Sequence, residues 1–145
     1  MESSANDEPN WLAIARAEVG VAEAPGAKST RRVLEYLSAT NVPAALRESD
    51  STPWCAAFVT WCLREAGIDS TKSAAARSYL KWGSTLREPR VGCVAVYSRG
   101  LAQGHVGFWL RRELGRDYVI GGNQADKVCE RSYPVSRLLG YRWPS

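Results

Sequence analysis

The stretch TPWCAAFV, residues 52–59, predicts the start of a helix whose first turn carries a cysteine. Thr52 is a residue type that caps helix N-termini, and Pro53 suits the first helical position because its missing N–H would have no partner there. Cys55 then lies where free backbone N–H groups and the positive end of the helix dipole point. Since such a location favours the thiolate, we expect a lowered pKa for Cys55 and a role as a nucleophile.

The helix that starts here is expected to be buried. It continues to about Ala66 and ends at Gly67, since glycine is a common C-terminal signal of helices. Its apolar residues cover most of the circumference, with Cys55, Phe58, Val59, Cys62 and Ala66 on one side and Trp54 and Trp61 on another. A helix with so much apolar surface is typical of the centre of a fold.

A cysteine nucleophile usually works with a base held nearby, and the sequence contains a single histidine, His105. It stands in GHVGFWL, residues 104–110, where alternating apolar residues predict a strand that begins at the histidine. Taken alone, His105 is better interpreted as a capping or core histidine at a strand start. Together with Cys55, its position favours a catalytic base.

Two side-chain amides follow another strand pattern. The stretch YVIGGNQ, residues 118–124, predicts a strand that runs into a glycine turn presenting Asn123 and Gln124. An amide oxygen can orient an imidazole by accepting a hydrogen bond from its second nitrogen; a turn without catalytic role is the alternative. Cysteine, histidine and a polar third residue, in this chain order, are the components of a papain-like hydrolase.

Helical and strand patterns occupy different parts of the chain. Further helices are predicted from Asn10 to Val19, from Ser29 or Thr30 to about Asn41, and from Ser73 to Trp82, with one more turn at 44–47. Strands are predicted at 93–97, 105–111, 118–121, 127–131 and 139–143. We therefore expect an α+β fold, with N-terminal helices and the nucleophile helix packed on a C-terminal antiparallel sheet of four to five strands.

Length and composition fit one domain, residues 10–145, preceded by a polar leader at residues 1–9 that we expect to be disordered. The leader lacks the basic start and apolar middle of a secretory signal. No apolar run reaches the ~18 to 20 residues that span a bilayer, so no membrane span is expected. The net charge of +4 favours polyanionic surroundings, such as bacterial wall. Nucleic acid is not expected as a partner, because no binding motif for it occurs.

The four cysteines lack the spacing of a metal site, and a single histidine adds little to one. Cys62, Cys93 and Cys129 have apolar neighbours in the sequence and are predicted to be reduced core residues. We expect no disulfide framework, no metal and no other cofactor.

The segments TPWCAAFVTWCL, GHVGFW and VIGGNQ resemble the NlpC-type and CHAP-type cysteine peptidases and amidases, which cut the peptide part of bacterial cell wall. A compact branch found in phage lysins and bacterial cell-wall toxins is particularly similar, from about Trp11 to Trp143. The resemblance implies a papain-like fold in which Cys55 and His105 carry the chemistry. It implies Asn123 as the third catalytic residue, with Gln124 as the alternative.

Substrate contacts are predicted around the nucleophile. Trp54 is the tryptophan expected to line the substrate groove. Asp50 and Ser51 are candidates for contacting the substrate or completing the oxyanion hole, and Gln124 is a further candidate contact.

We therefore expect a monomeric cysteine amidase or endopeptidase that acts on peptidoglycan stem peptides. Made in the bacterial cytoplasm without a signal peptide, it would reach the periplasm or wall through a secretion apparatus, as an injected toxin, or through a holin, as a phage lysin. Injection would imply a cognate immunity protein. The alternatives are a catalytically silent wall-binding domain of the same fold and an intracellular thiol hydrolase of a small amide. The bond that is cut remains open.

Overall fold

A computed structural model describes residues 8–22, 27–41, 54–100, 103–124 and 127–145. Within these ranges the α-helices are α1 (Asn10–Ala17), α2 (Ala27–Ser38) and α3 (Cys55–Glu65), and short 3₁₀ helices span Ala76–Lys81 and Val135–Arg137. The strands are β1 (Ser84–Leu86), β2 (Val94–Ser98), β3 (Gly104–Glu113), β4 (Arg116–Gln124), β5 (Lys127–Pro134) and β6 (Leu138–Trp143).

The strands form one antiparallel sheet in the order β1-β6-β2-β3-β4-β5. The α+β class, with helices first and the sheet last, is confirmed. The sheet has six strands among the described residues, not four to five. The additional strand, β1, is only three residues long and two of them are exposed, so it carries no apolar alternation that a sequence pattern would reveal.

Helix α3 lies at the centre of the fold, as predicted. Every residue from Cys55 to Leu63 is buried, and the helix packs against α1, α2, β3 and β4. The buried ring of Tyr36 on α2 meets the α3 residue Phe58 edge-on, at 5.1 Å between ring centroids. Burial of these aromatic rings is the main stabilising contribution that holds α3 against its neighbours.

Gly122 on β4 lets the sheet approach the start of α3. A Cβ at this position would lie 2.7 Å from the Cβ of Phe58 and 2.8 Å from the ring of Trp54, closer than real side chains come. Any larger residue would therefore push β4 away from the helix. The close approach carries Asn123 and Gln124 to the first turn of α3.

The start of α3 differs in detail from the prediction. The helix begins at Cys55 with Trp54 in the N-cap position, so the first turn does carry the cysteine. The predicted cap and first residue, Thr52 and Pro53, lie outside the described residues, as does the predicted turn at 44–47. At the other end, Gly67 adopts φ +78, which fits its predicted role as the stop signal.

The predicted helix from Ser73 to Trp82 is wrong over its first part: the chain forms only the 3₁₀ helix Ala76–Lys81. Side-chain hydroxyls bind the backbone just before it. Lys72 N–H donates to Ser70 Oγ (3.0 Å), Ser73 N–H to Thr71 Oγ1 (3.1 Å) and Ala75 N–H to Ser73 Oγ (3.0 Å). Such local bonds compete with helical ones, so the segment runs as a loop over the nucleophile.

Glu8 and Pro9, which belong to the predicted leader, contact α1 in the structure. Glu8 forms an ion pair with Arg16 at 2.8 Å, and Pro9, in the N-cap position of α1, accepts from Leu12 N–H at 3.0 Å through its carbonyl oxygen. Residues 1–7 lie outside the described part of the chain. Among the described residues, the helices are all too short and too polar to cross a bilayer.

Candidate active site

Cys55 is held at the first turn of α3 with its thiol beside strand β3. The sulfur lies within hydrogen-bonding reach of the backbone N–H groups of Val106, Ala56 and Cys55 itself. The residue is 5 % exposed and lines a groove of about 310 Å³. The nucleophile position is therefore buried from most sides and open to one groove.

His105, the second residue of β3, is the immediate neighbour of Val106 and is brought to the same place. Its side chain is 1 % exposed. The ring Nε2 lies 2.6 Å from Oε1 of Gln124. A Cβ at Gly121 would lie 3.1 Å from the His105 Nε2 and 2.6 Å from the Gln124 oxygen, so glycine at this position leaves room for the hydrogen bond.

The residue that orients His105 is thus Gln124, the predicted alternative to Asn123. Gln124 is 2 % exposed, and its amide nitrogen donates to the carbonyl oxygen of Cys129 at 2.6 Å. The further prediction that Gln124 contacts the substrate stays a prediction. Asn123 precedes it with φ +57, a conformation that asparagine tolerates, and its side chain lines the groove of Cys55 instead.

Tyr133 on β5 completes the environment of the imidazole and is a functional residue that the sequence analysis missed. Its ring stacks on His105 with 4.8 Å between centroids, and its hydroxyl donates to Gln124 Oε1 at 3.1 Å. The predicted strand stopped at Arg131, two residues short of the observed contact. Extending its period-2 pattern from Cys129 through Arg131 would have placed Tyr133 on the same face.

A second layer supports Tyr133. The ring of Tyr97 stacks on Tyr133 at 5.3 Å, and the Tyr97 hydroxyl donates to the buried carboxylate of Asp117 at 2.7 Å. Tyr141 donates to the same oxygen at 2.6 Å, and Arg112 pairs with Asp117 at 3.0 Å. These bonds fix the ring stack from the side of the sheet opposite α3.

Burial favours the uncharged forms of both reacting groups. It raises the pKa of the Cys55 thiol, while the N–H groups of Val106 and Ala56 act in the opposite direction. The expectation of a lowered pKa at the helix start is therefore wrong, because desolvation of the thiolate outweighs the helix terminus. Burial likewise lowers the pKa of His105 to about 4, although the hydrogen bond to Gln124 acts in the opposite direction.

The groove beside Cys55 is walled by the loop before the 3₁₀ helix and by the start of β3. Its lining includes Ala74, Ala75, Ala76, Arg77, Arg99, Gln103, Gly104 and Asn123. Arg77 fixes this wall by donating to the carbonyl oxygens of Gly100 (3.1 Å) and Gln103 (2.9 Å). Among the described residues, no acidic side chain lines the groove.

The predicted substrate contact at Trp54 is wrong. The side chain is 1 % exposed and its ring stacks on Tyr36 at 5.7 Å, so it belongs to the core beneath the site. Trp54 is the N-cap residue of α3, and its ring packs inward because α3 is surrounded by α1, α2, β3 and β4. Asp50 and Ser51, the other predicted contacts, lie outside the described residues.

The remaining cysteines divide into two groups. Cys62 and Cys93 are fully buried, as predicted. Cys129 is only partly buried, and its thiol donates to the backbone oxygen of Gln124 at 3.3 Å, which makes it a neighbour of the site. In the described ranges, no group of three histidine, cysteine or acidic side chains is arranged to hold a metal ion.

Comparison with known proteins bears on this arrangement of Cys55, His105 and a side-chain amide. No curated protein matches the chain. The CHAP domain family matches residues 47–123, just over half of the chain. The match contains the nucleophile helix and the histidine strand, and it ends one residue before Gln124. The chain therefore belongs to the CHAP domain family, part of the papain-like NlpC/P60–CHAP superfamily of cysteine amidases.

Proposed function

We propose that this protein hydrolyses an amide bond in the stem peptide of peptidoglycan by thiol catalysis. The observation that carries the proposal is that Cys55 lines the groove and lies by the backbone of Val106, the residue after His105, while Gln124 bonds the His105 ring. Membership in the CHAP family supports a cysteine amidase or peptidase and peptidoglycan as the substrate. The mechanism below follows from the contacts of these three residues.

Gln124 determines which nitrogen of His105 is the base. The carbonyl oxygen of Cys129 can only accept a hydrogen bond, so the side-chain nitrogen of Gln124 must face it. The side-chain oxygen of Gln124 then faces the imidazole. The neutral ring then carries its proton on Nε2 and leaves Nδ1 free to accept one. With the His105 pKa lowered to about 4, the ring is in this form at neutral pH.

In the first step, the sulfur of Cys55 attacks the carbonyl carbon while His105 Nδ1 takes the thiol proton. The negative charge that develops on the substrate oxygen is stabilised by backbone N–H groups at the start of α3. His105 then donates the proton to the leaving amine, and a thioester remains on Cys55. Water, deprotonated by His105, attacks the thioester, which releases the carboxylic acid and restores the thiol.

Our proposal for how the enzyme is delivered rests on its resemblance to the compact branch of lysins and toxins. We propose that it acts in the periplasm or wall, as a secreted antibacterial toxin or as a phage lysin, and that a toxin would have an immunity protein covering the groove. Expression in a Gram-negative host with and without an added export signal tests the site of action. Lysis that requires export supports a site of action in the periplasm or wall, and lysis without export contradicts it.

The test of the activity is incubation of the protein with purified muropeptides, with the products read by mass spectrometry. New products whose masses add up to that of the substrate plus one water support hydrolysis of an amide bond, and their individual masses identify the bond. Cys55→Ala, which removes the sulfur and little volume, should form none. Products from Cys55→Ala would contradict the mechanism, and wall binding without products from the wild type would indicate a silent domain.

A further inference from the structure

A second depression, of about 450 Å³, adjoins the groove of Cys55 and is lined by four arginines. They are Arg99, Arg116, Arg131 and Arg137, and we call this depression the arginine pocket. Its other lining residues are Asn123, Gln124, Ser132, Tyr133 and Pro134, none of them acidic. Arg99 and Asn123 line both the pocket and the groove of Cys55, so the two are continuous.

The positive charge of the pocket is not neutralised by carboxylates of the described residues. Several arginines elsewhere among the described residues form ion pairs: Arg16 with Glu8, Arg64 with Glu65, and Arg111 with Glu113 and Glu130. Of the four pocket arginines, Arg116 donates to Ser132, and none forms an ion pair within the part of the chain that the structure describes. Unpaired guanidinium groups that converge on a pocket favour an anionic ligand.

The charge of the pocket reaches the catalytic base. Arg99 and Arg131 are the two charged groups that lower the pKa of His105, after burial itself. Their guanidinium groups are therefore close enough to act on the imidazole. Because Arg99 and Asn123 line both the pocket and the groove, a ligand in the pocket would lie next to the substrate.

We propose that the arginine pocket binds a free carboxylate of the stem peptide and so makes the enzyme selective for stem peptides whose carboxylates are not amidated. This inference rests on the proposed function. A carboxylate is favoured over a phosphate because stem-peptide carboxylates are part of the same short chain as the scissile bond. A phosphate of a teichoic polymer would have to be brought in by a separate molecule.

Two synthetic muropeptides test the inference: one with all stem-peptide carboxylates free, the other with all of them as carboxamides. The wild type should cleave the free acid with a kcat/KM about 10- to 100-fold higher, mainly through a lower KM, because a charge-assisted bond is lost in the amide. Arg131→Gln and Arg137→Gln should each bring the ratio of the two kcat/KM values closer to one. Both side chains are exposed, so we expect both variants to fold.

The matched control is Arg64→Gln, which removes the same charge from an exposed pair with Glu65. Arg64 is nine residues beyond Cys55 on α3, about 13 Å along the helix axis, and should leave the ratio unchanged. A fall of the ratio in Arg64→Gln equal to that in Arg131→Gln would mean that overall charge, and not the pocket, sets the preference.

The outcomes separate this inference from the proposed function. Equal cleavage of the two muropeptides by the wild type overturns the selectivity while leaving the amidase activity established. Equal cleavage together with weaker binding of Arg131→Gln to wall bearing teichoic acid would assign the pocket to phosphate and also overturn it. Cleavage of neither muropeptide, nor of any natural one, overturns the proposed function and this inference with it.

Discussion

The side-chain nitrogen of Gln124 donates to the carbonyl oxygen of Cys129 at 2.6 Å, and this bond fixes the tautomer of His105. A carbonyl cannot donate, so the amide is oriented with its oxygen toward the imidazole, where it also accepts from Tyr133 at 3.1 Å. His105 must then donate through Nε2. A contact two side chains away from the nucleophile thus decides which nitrogen is the base.

Gln124→Ala should lower kcat/KM by about 10- to 100-fold, less than the 10²- to 10⁴-fold that removal of a general base costs. The variant keeps the base but loses the group that holds its tautomer and orientation. The measurement is the steady-state rate on a muropeptide, beside His105→Ala. Because the two residues act as a unit, the double variant should be little worse than His105→Ala alone.

Asn123→Gly is the matched control for Gln124→Ala. Glycine adopts the φ of +57 found at this residue without strain, so the substitution removes the side chain and leaves the turn intact. We expect a smaller loss than in Gln124→Ala, since Asn123 lines the groove while the imidazole is held by Gln124. A larger loss in Asn123→Gly would return the orienting role to Asn123.

The contrast between these two residues shows what the sequence could and could not predict. The helix start at Cys55, the strand at His105 and the pair of amides at 123–124 follow from local patterns, and all three meet in the structure. Local patterns do not decide between Asn123 and Gln124 as the partner of His105. The decision depends on the positive φ of Asn123, which turns the Asn123 side chain into the groove. Where the end of a strand bends, the two-residue alternation of a strand does not predict which of two adjacent side chains faces the histidine.

The position of Tyr133 and the loop before the 3₁₀ helix could not be predicted from local sequence patterns either, for a different reason. Tyr133 reaches His105 through the register of β5 against β4, in which Tyr133 pairs with Asp117, and register is a tertiary property. The predicted helix does not form before Ala76, because hydroxyls of Ser70, Thr71 and Ser73 each accept a hydrogen bond from the backbone N–H two residues further along the chain. The sequence does contain those serines and threonines, but the same residues occur at helix starts, where they favour a helix.

Tyr133→Phe and Tyr133→Leu should affect the site to different degrees. The phenylalanine keeps the stack on His105 and loses only the hydroxyl bond to Gln124, so we expect a loss of about 1 kcal/mol, roughly fivefold in kcat/KM. The leucine also loses the stacked ring and admits water to the imidazole. Since burial is the main cause of the lowered His105 pKa, the acid limb of the pH profile should move upward only in Tyr133→Leu.

Tyr118→Leu provides the comparison for Tyr133→Leu. Tyr118 lies on β4 beneath Arg111, away from the groove, and its loss should affect stability without moving the pH profile. An unchanged acid limb in Tyr133→Leu, with activity reduced only in proportion to unfolding, would leave Tyr133 as a structural residue.

The pH dependence of activity should reflect a buried, neutral His105. The charged and titratable groups that act on or contact it are Arg99 from the loop after β2, and Arg131 and Tyr133 from β5. With its pKa at about 4, the ring is unprotonated above that pH, so kcat/KM of the free enzyme should fall only as the pH approaches 4. A midpoint near 6.5 would contradict the assignment of a desolvated base.

The same residue makes stability depend on pH. The pKa of His105 is about 4 in the folded protein and 6.5 in an ordinary setting, so between these values the unfolded chain binds a proton that the folded protein does not. Stability should therefore fall as the pH is lowered from 6.5 toward 4, by about 3 kcal/mol in total. Urea unfolding at several pH values measures this, and His105→Gln should lose that part of the dependence.

The reactivity of Cys55 toward iodoacetamide tests whether the resting site holds a thiol or a thiolate. Cys55 lines the groove, whereas Cys62 and Cys93 are fully buried, so Cys55 should be modified before these two in the native protein. Because burial raises its pKa, the modification should be slow at pH 7 and should accelerate with rising pH beyond the ordinary thiol range of about 8.5. His105→Ala should change this rate little, since a neutral imidazole does not stabilise a thiolate by charge. A rate that is already fast and constant between pH 6 and 8, and that drops in His105→Ala, would instead demonstrate a thiolate–imidazolium pair and contradict general-base attack by a neutral thiol.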